Sequence, residues 1–238
     1  WNSGWVYRND GVDIESNTDP NSSNGFHIAF VAKGEWINYT INVTESAAYS
    51  AICRVASQSS GGQFHLAIDG EDITSTQSVS ATGGWSSFDN FTIEDVILIE
   101  GQHTLSLWFD NNTAFNIGSI DFTKTSNIED IDFMTLNGQT SEDEQSVLIY
   151  TNQDILPESL NGSLDNFTLT VNGEEVNIIS VFTDENSPRT ISLTTDDFLV
   201  YTDAIKLSYD GTLIGSQTNK TLEPFSNLKI RNTLIYRH

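Results

Sequence analysis

Hydrophobic and polar residues alternate along much of the chain, and the segment from Glu35 to Val43 shows the alternation most clearly. One face of the segment is apolar and is made of Ile37, Tyr39, Ile41 and Val43. The other face is made of Trp36, Asn38, Thr40 and Asn42. Side chains of a β-strand point alternately to its two faces, so the pattern predicts a half-buried strand.

Trp36 breaks this pattern because it lies on the face that is otherwise made of Asn and Thr. A flat aromatic ring on a polar sheet surface is suited to stacking on a ligand. The other interpretation is that a neighbouring loop covers the ring. The pattern of this strand does not decide between the two.

Short apolar segments separated by turn-forming residues continue through the whole chain and predict an all-β fold. In the first half, strands are predicted near residues 11–15, 26–30, 34–43, 48–57, 63–69, 88–98, 101–108 and 116–123. In the second half, they are predicted near residues 130–136, 145–150, 167–171, 175–183, 190–193, 204–209 and 228–232. The second half contains no Trp. We therefore predict two β-sandwich domains in tandem, residues 1–124 and 125–238.

Charge and chemical motifs narrow the possible functions. The formal net charge of −23 at pH 7 repels phosphate backbones and anionic lipids, which argues against nucleic-acid and membrane partners. No nucleophile elbow, zinc-binding His-Glu-x-x-His pair or phosphate-binding loop is present, so the sequence predicts no catalytic residue. Cys53 is the single cysteine and lies on an alternating apolar face, where we expect a small buried hydrophobic residue.

Aromatic and amide side chains are the remaining signal for function. Trp85 lies in a glycine-rich loop, TGGWSS, and Trp108 falls on the polar face of the segment HTLSLWF. Asn116 begins the last predicted strand of the first half, where an amide can donate to and accept from hydroxyl groups. Such side chains suit the apolar faces and hydroxyl edges of sugars. For each Trp, packing beneath a loop is the competing interpretation.

A resemblance to a known family rests on six segments of the first half in order. They are GVDIE (11–15), GFHIAFVAKGEWINYTINV (25–43), RVASQSSGGQFHLAIDG (54–70), TGGW (82–85), EGQHTLSLWF (100–109) and FNIGSIDF (115–122). Together they closely resemble a family 6 carbohydrate-binding module, most of all those attached to marine agarases. The resemblance implies a non-catalytic, lectin-like jelly-roll sandwich.

The resemblance also implies two sugar-binding clefts. In the cleft at the loop end of such modules, the matching residues here are Phe30, Trp85 and Asn116, with Glu15 as an acceptor for sugar hydroxyls. The first aromatic is commonly Tyr in the family, so Phe30 keeps the stacking face and lacks a hydroxyl. In the second cleft, on the sheet face, the matching residues are Trp36 and Asn38. Our own reading of the polar faces adds Trp108 and His65 beside that cleft.

One departure from the family concerns its first strand and a structural calcium. Family members usually begin with an additional strand whose Glu helps to bind calcium, and this chain begins after that point. Asp121 occupies the position of the family's carboxylate on the last strand, and oxygen-only ligation suits calcium. We expect preceding sequence or a neighbouring chain to complete the sheet edge.

The second half resembles, more loosely, bacterial immunoglobulin-like domains through DNFTLTVNGEEVNI (165–178) and LEPFSNLKIRN (222–232). Such a domain implies a spacer, and we assign no ligand site to it. The chain begins at Trp1 without a signal peptide and is interpreted as an excised or mature segment.

The sequence therefore predicts a polysaccharide-binding fragment of a secreted or cell-surface protein, attached to a catalytic domain that degrades glycans. Agarose or another galactan is the leading ligand, followed by laminarin and xylan. The alternatives are an adhesion or spacer protein and a small glycoside hydrolase.

Overall fold

The computed structural model describes residues 13–22 and 24–235, and the structural statements below concern these residues. The chain divides into two compact units, Trp1–Asn127 and Ile128–His238. The division falls close to the boundary predicted after Lys124. In the described residues, no helix is long and apolar enough to span a membrane.

The first unit is a sandwich of two antiparallel sheets. Its strands are β1 (Ile14–Ser16), β2 (Phe26–Ile28), β3 (Trp36–Val43), β4 (Ala47–Ala56), β5 (Gly62–Ile68), β6 (Glu71–Asp72), β7 (Gln77–Val79), β8 (Asp89–Leu98), β9 (Gly101–Phe109) and β10 (Asn116–Asn127). One sheet has the order β1-β2-β10-β4-β8, and the other has the order β3-β9-β5-β6, with β7 paired to β5. Their inner faces bury a common core that includes Cys53, Val55, Phe64, Leu66, Leu107, Phe109 and Ile117.

The second unit is also built from two four-stranded antiparallel sheets around a core. Its strands are β11 (Thr135–Thr140), β12 (Ser146–Thr151), β13 (Phe167–Val171), β14 (Glu174–Val176), β15 (Ile178–Asp184), β16 (Ser187–Thr195), β17 (Ile205–Tyr209) and β18 (Phe225–Ile230). The sheets have the orders β11-β12-β16-β15 and β14-β13-β17-β18. Their fully buried residues include Val147, Ile149, Leu169, Ile191, Leu193 and Leu207. The predicted all-β fold is confirmed, whereas the immunoglobulin-like assignment stays a prediction.

Two predicted strands of the second unit are wrong in their limits. The strand predicted over residues 130–136 begins only at Thr135, because the buried side chain of Asn152 binds the backbone there. Its amide nitrogen donates to the Asp132 carbonyl (2.7 Å), and its oxygen accepts from the Met134 amide (2.9 Å). The strand predicted over residues 175–183 is two strands, since the chain passes from one sheet to the other at Asn177.

The limits of the first unit's strands also differ from prediction. The strand predicted over residues 26–30 ends at Ile28, and the strand predicted over residues 116–123 continues to Asn127. Gly11 and Val12 of the strand predicted over residues 11–15 lie outside the described residues. The short strands β6 and β7 were not predicted, because two or three residues carry too little alternation to recognise.

The inner face of β3 is less buried than its pattern predicts. Val43 is buried, whereas Tyr39 is 38% exposed. The reason is an open groove of about 520 Å³ that Ile37, Tyr39 and Ile41 line together with Ile120 and Phe122 of β10. Beside this groove, β10 pairs with β2 at a single position, Ile117 with Ile28. The expectation that another segment completes this sheet edge stays a prediction.

A buried ion pair joins the loop after β1 to β4. Arg54 donates to one carboxylate oxygen of Asp19 from Nε (2.9 Å) and Nη2 (2.7 Å). The guanidinium also donates to the Phe88 carbonyl (3.0 Å) and to the side-chain oxygen of Asn90 (2.8 Å). The side chains of Arg54 and Asp19 are 12% and 4% exposed. One side chain thus joins the loop around residue 19 to the segment that leads into β8.

Burial has a different effect on His27 of β2. The side chain is 6% exposed, and its ring packs edge-on against Phe88 at a centroid distance of 5.3 Å. Burial lowers the pKa of His27, while the nearby Glu15 carboxylate acts in the opposite direction. The folded unit therefore keeps this imidazole neutral.

We expect Arg54→Met to destabilise the first unit by about 3–5 kcal/mol, because it leaves the buried Asp19 carboxylate without its partner. Arg189→Met is the matched control, since Arg189 and Asp154 form an ion pair that is 31% and 37% exposed. The control should lose less than about 1 kcal/mol. Urea unfolding of the three proteins measures both values. Equal losses in the two variants would contradict the prediction.

The lowered pKa of His27 also predicts how stability depends on pH. The unfolded chain binds a proton on His27 below about pH 6.5, before the folded unit does. The free energy of unfolding therefore falls as the pH drops through this range, with a contribution from His27 of at most about 1.4 kcal/mol per pH unit. His27→Gln should remove this contribution. Urea unfolding between about pH 7 and about pH 5 tests it, and identical pH profiles for variant and wild type would refute it.

Candidate functional site

Antiparallel register brings the predicted loop-end residues to the same end of one sheet. Ile28 of β2 pairs with Ile117 of β10, so Asn116 lies beside Ala29. Phe30 follows directly. Glu15 of β1 pairs with His27 of β2, one strand further out. Four residues that are distant in the sequence therefore meet along a single sheet edge.

Phe30 is held with its ring in solvent by an unusual backbone conformation. Its φ angle is +54°, and its side chain is 52% exposed. A left-handed conformation costs a residue with a side chain about 1 kcal/mol or more. Immediately before it, the Ala29 amide donates to the Asp13 carbonyl (2.9 Å), which ends the regular pairing of β2. The turn projects an apolar ring outward where it gains no core burial.

Trp85 lies on a loop that is fixed by hydrogen bonds to neighbouring segments. The Thr82 amide donates to the Ser57 carbonyl (3.0 Å), and the Ser57 amide donates to the Thr82 hydroxyl (2.8 Å). Gly83 has φ +101°, a conformation that glycine adopts readily. Trp85 is 45% exposed on this loop. The ring is thus presented by an ordered backbone, which reduces the entropy lost when a ligand stacks on it.

Asn116 lies closer to the protein interior than its predicted contact with sugar hydroxyls suggests. Its side chain is 4% exposed, and its amide nitrogen donates to the backbone carbonyl of Trp85 (2.8 Å). This hydrogen bond attaches the Trp85 loop to the start of β10. The structure therefore gives Asn116 a positioning role, and its direct contact with a sugar stays a prediction.

Glu15 is half-exposed and contacts the buried imidazole of His27. Its side chain is 41% exposed, and Oε2 lies 3.4 Å from His27 Nε2. Because the imidazole is neutral and the separation is long, the carboxylate keeps most of its capacity to accept hydrogen bonds. This geometry is compatible with the predicted role of Glu15 as an acceptor.

A second group of candidates lies on the outer face of the other sheet. Trp36, Trp108 and His65 are direct neighbours on β3, β9 and β5. The ring centroids of Trp36 and Trp108 are 4.9 Å apart, and those of Trp108 and His65 are 6.2 Å apart. Trp36 is 54% exposed, so no loop of the described residues covers it. Asn38 is exposed beside it and accepts a hydrogen bond from the Ser106 hydroxyl (2.8 Å).

Sequence reasoning missed the polar partners of this aromatic row. His65 Nδ1 lies 2.8 Å from Asp110 Oδ1, and His65 Nε2 lies 3.1 Å from Asp72 Oδ1. Asp72 belongs to the short strand β6, and Asp110 directly follows β9. Neither residue has a local sequence pattern that marks it, because the contacts arise only from strand pairing. Likewise, no motif marked Arg54 as the residue that holds the segment after Trp85.

Asp121, the predicted calcium ligand, has an exposed side chain on β10 that accepts a hydrogen bond from the Ser119 hydroxyl (2.9 Å). Within residues 13–22 and 24–235, no three His, Cys, Asp or Glu side chains come together to hold a metal ion. A calcium site formed by protein takes six or more oxygen ligands. The described residues therefore do not form an evident site around Asp121, and calcium stays an expectation of the resemblance.

Cys53 is fully buried in the first unit, as predicted. Burial raises the pKa of its thiol to about 12, with a smaller contribution from Asp121. A thiol that stays protonated is a poor nucleophile and a poor metal ligand. Cys53 therefore serves the core.

Comparison with known proteins agrees with the loop and sheet geometry of the first unit. The model of carbohydrate binding module family 6 matches residues 6–124. Over 91 residues, or 38% of this chain, the protein is 30% identical to β-agarase AgaA of Microbulbifer thermotolerans. The match spans 21% of the agarase's own length.

Solved structures of the same family are also similar. One is the module CBM6cm-2 of Cellvibrio mixtus lichenase 5A in complex with cellotriose, with 27% identity and a TM-score of 0.44 over 50% of this chain and 91% of that one. Another is the C-terminal module of the laminarinase LamC from Zobellia galactanivorans, with 28% identity and a TM-score of 0.43 over 48% of this chain and 90% of that one. Since the family model matches half of its residues, the chain belongs to carbohydrate-binding module family 6, a family of non-catalytic binding modules.

Proposed function

We propose that the first unit binds a neutral polysaccharide through exposed aromatic rings. The observation that carries the proposal is the pair of rings, Phe30 and Trp85, that project from fixed backbone beside one sheet end although they are 52% and 45% exposed. Exposed rings on ordered loops stabilise the free protein little and favour a ligand that covers them. In a family of carbohydrate-binding modules, that ligand is a glycan.

Binding by this site is equilibrium recognition in which no covalent bond changes. Phe30 and Trp85 contribute apolar contact with the CH-bearing faces of a sugar ring. Glu15 accepts hydrogen bonds from hydroxyl groups, and Asn116 fixes the Trp85 loop through its backbone carbonyl. An open site of this size predicts a Kd in the range of about micromolar to millimolar. Attachment to an enzyme that acts on the same polymer raises the effective affinity.

Agarose or another neutral galactan is the ligand that we propose first, followed by laminarin and xylan. The similarity to a β-agarase supports this order, although it covers a fifth of that enzyme. Electrostatics support a neutral polymer, because a net charge of −23 repels alginate and sulfated carrageenan.

We further propose that the chain belongs to a secreted or cell-surface protein in which a catalytic domain degrades the bound glycan. The second unit then acts as a spacer. Calcium bound through Asp121 is part of this proposal only if ligands beyond the described residues complete the site.

A second candidate function, protein adhesion, is favoured by one loop of the second unit. Phe198, Val200 and Tyr201 lie between β16 and β17 and are 68%, 50% and 49% exposed. The loop is ordered, because the Leu199 amide donates to the Glu144 carbonyl (2.7 Å) and Leu199 itself is buried. An exposed apolar loop of this kind is typical of a contact with another protein.

Affinity gel electrophoresis tests glycan binding with agarose, laminarin, xylan, carrageenan and alginate in separate gels. Wild type should be retarded by a neutral polymer, and Trp85→Ala should weaken binding about tenfold to a hundredfold if the loop end is the main site. Trp36→Ala should have the larger effect if the sheet side is the main site. Phe182→Ala is the control, because Phe182 is a 48% exposed ring of the second unit.

Three results would contradict the proposal. Retardation by none of the polymers would favour the adhesion function, and equal effects of Phe182→Ala and Trp85→Ala would show that retardation is not specific. Release of reducing sugar from a polymer would favour the enzyme alternative.

A further inference from the structure

The aromatic row on the outer sheet face has a defined order that follows from strand pairing. Trp36 of β3 pairs with Trp108 of β9, and Trp108 pairs with His65 of β5. Residues directly opposite each other in antiparallel strands point to the same face of the sheet. The three rings therefore form a line across the strands, with Trp108 in the middle.

The rings of this row face one another. The planes of Trp36 and Trp108 differ by 24° at a centroid distance of 4.9 Å, and those of Trp108 and His65 differ by 2° at 6.2 Å. Indole rings that lie side by side in one plane cannot approach to 4.9 Å, so this pair is stacked. The row accordingly presents ring edges to solvent and does not form a flat platform on the sheet.

Only one Trp of the row keeps a free face. Trp108 has Trp36 on one side and His65 on the other, and its side chain is half-buried. Trp36 has a neighbour on one side only, because β3 is the outermost strand of its sheet in the described part of the chain. Its exposure of 54% agrees with one covered face and one open face. The open face points beyond the sheet edge.

Hydrogen bonds fix the far end of the row. Both ring nitrogens of His65 contact carboxylates, Nδ1 with Asp110 at 2.8 Å and Nε2 with Asp72 at 3.1 Å. Asp110 is 21% exposed and Asp72 is 71% exposed, so Asp110 is the more firmly held partner. A ring held at both nitrogens cannot rotate freely, and it limits the rotation of the Trp108 ring stacked beside it.

We propose that Trp36 offers a single stacking face at the free edge of its sheet, and that Trp108, His65 and Asp110 are positioning residues that hold its ring upright. This inference rests on the proposed glycan binding and defines the geometry of its second surface. A sugar on the open face of Trp36 stands beside the sheet edge. The surface is open at both ends, so it accepts internal segments of a polymer.

Asn38 completes this surface, since it lies two residues along β3 on the same face as Trp36. Its side-chain oxygen accepts a hydrogen bond from Ser106 (2.8 Å), which orients the amide NH₂ group as the donor for a ligand. Trp108 makes no sugar contact in this arrangement, because both of its ring faces are covered.

The binding test uses the Trp85→Ala protein as the background, so that the loop end does not contribute. Gels with agarose and laminarin should still retard this protein, and adding Trp36→Ala should abolish retardation. Adding Trp108→Leu should weaken binding about five- to tenfold, whereas Trp108→Phe should weaken it less than about threefold because a stacking ring is kept. A structural role alone predicts that neither substitution changes affinity while the protein stays folded. Thermal unfolding followed by circular dichroism verifies folding.

Circular dichroism also tests the ring orientation without any ligand. Two stacked indoles give a paired positive and negative band, which Trp36→Phe and Trp108→Phe should each remove and Trp85→Ala should keep. His65→Gln should reduce the band pair because the Trp108 ring gains rotational freedom. A wild-type spectrum without the band pair overturns the stacked row.

The outcomes separate this inference from the proposed function. Retardation of wild type but not of the Trp85→Ala protein overturns the edge surface and leaves loop-end binding intact. Equal affinities of the Trp108→Leu and Trp108→Phe proteins overturn the positioning role while Trp36 stays a contact residue. Absence of retardation in wild type overturns the proposed function and this surface together, and the band pair then reports on ring orientation alone.

Discussion

The register of β10 between its two neighbours is the constraint on which the loop-end surface depends. From Asn116 to Asn127 this strand pairs with β4, and at Ile117 it pairs with β2. Side chains alternate between the faces of a strand, so a shift by one residue would turn every side chain to the opposite face. Asn116 would then lose the carbonyl of Trp85, and Ile117 would leave the core. Core packing and the binding surface are therefore fixed by the same register.

The two aromatic surfaces differ in how the protein orders them. At the loop end, the rings sit on irregular backbone, and the order comes from polar contacts such as those of Asn116 with Trp85 and of Arg54 with Phe88. On the sheet side, the order comes from regular strand pairing and from rings that stack on one another. Both solutions reduce the conformational entropy that binding would otherwise cost. Loops permit variation in ligand shape, whereas a stacked row fixes one orientation.

Charge acts on both units in the same direction. The chain has 33 acidic residues and 10 basic ones, and few of the carboxylates are buried. Asp19 is a buried exception, and a guanidinium with several hydrogen bonds compensates for it. The remaining carboxylates keep the surface negative, which selects against anionic polymers at long range while short-range stacking selects among neutral ones.

The sequence by itself determined the fold class, the approximate strands of the first unit and the aromatic residues that lie outside the core. Alternation is a local property, so Trp36 could be recognised as an outward-facing ring from its own strand. The glycine pair before Trp85 likewise indicated a loop. Family resemblance supplied Phe30, Asn116 and Glu15, which composition and spacing would not have distinguished from other residues.

Tertiary structure alone decided the contacts between distant segments. Alternation places Trp108 on an outer face but does not say that β9 lies between β3 and β5, and that order is what covers both faces of its ring. Asn116 looked like a surface amide, and only the neighbouring loop makes it a buried donor. The limits of β11 depended on Asn152, a residue from another strand's end. Local sequence encodes which way a side chain points, whereas its partners depend on segments that are brought together only when the sheets form.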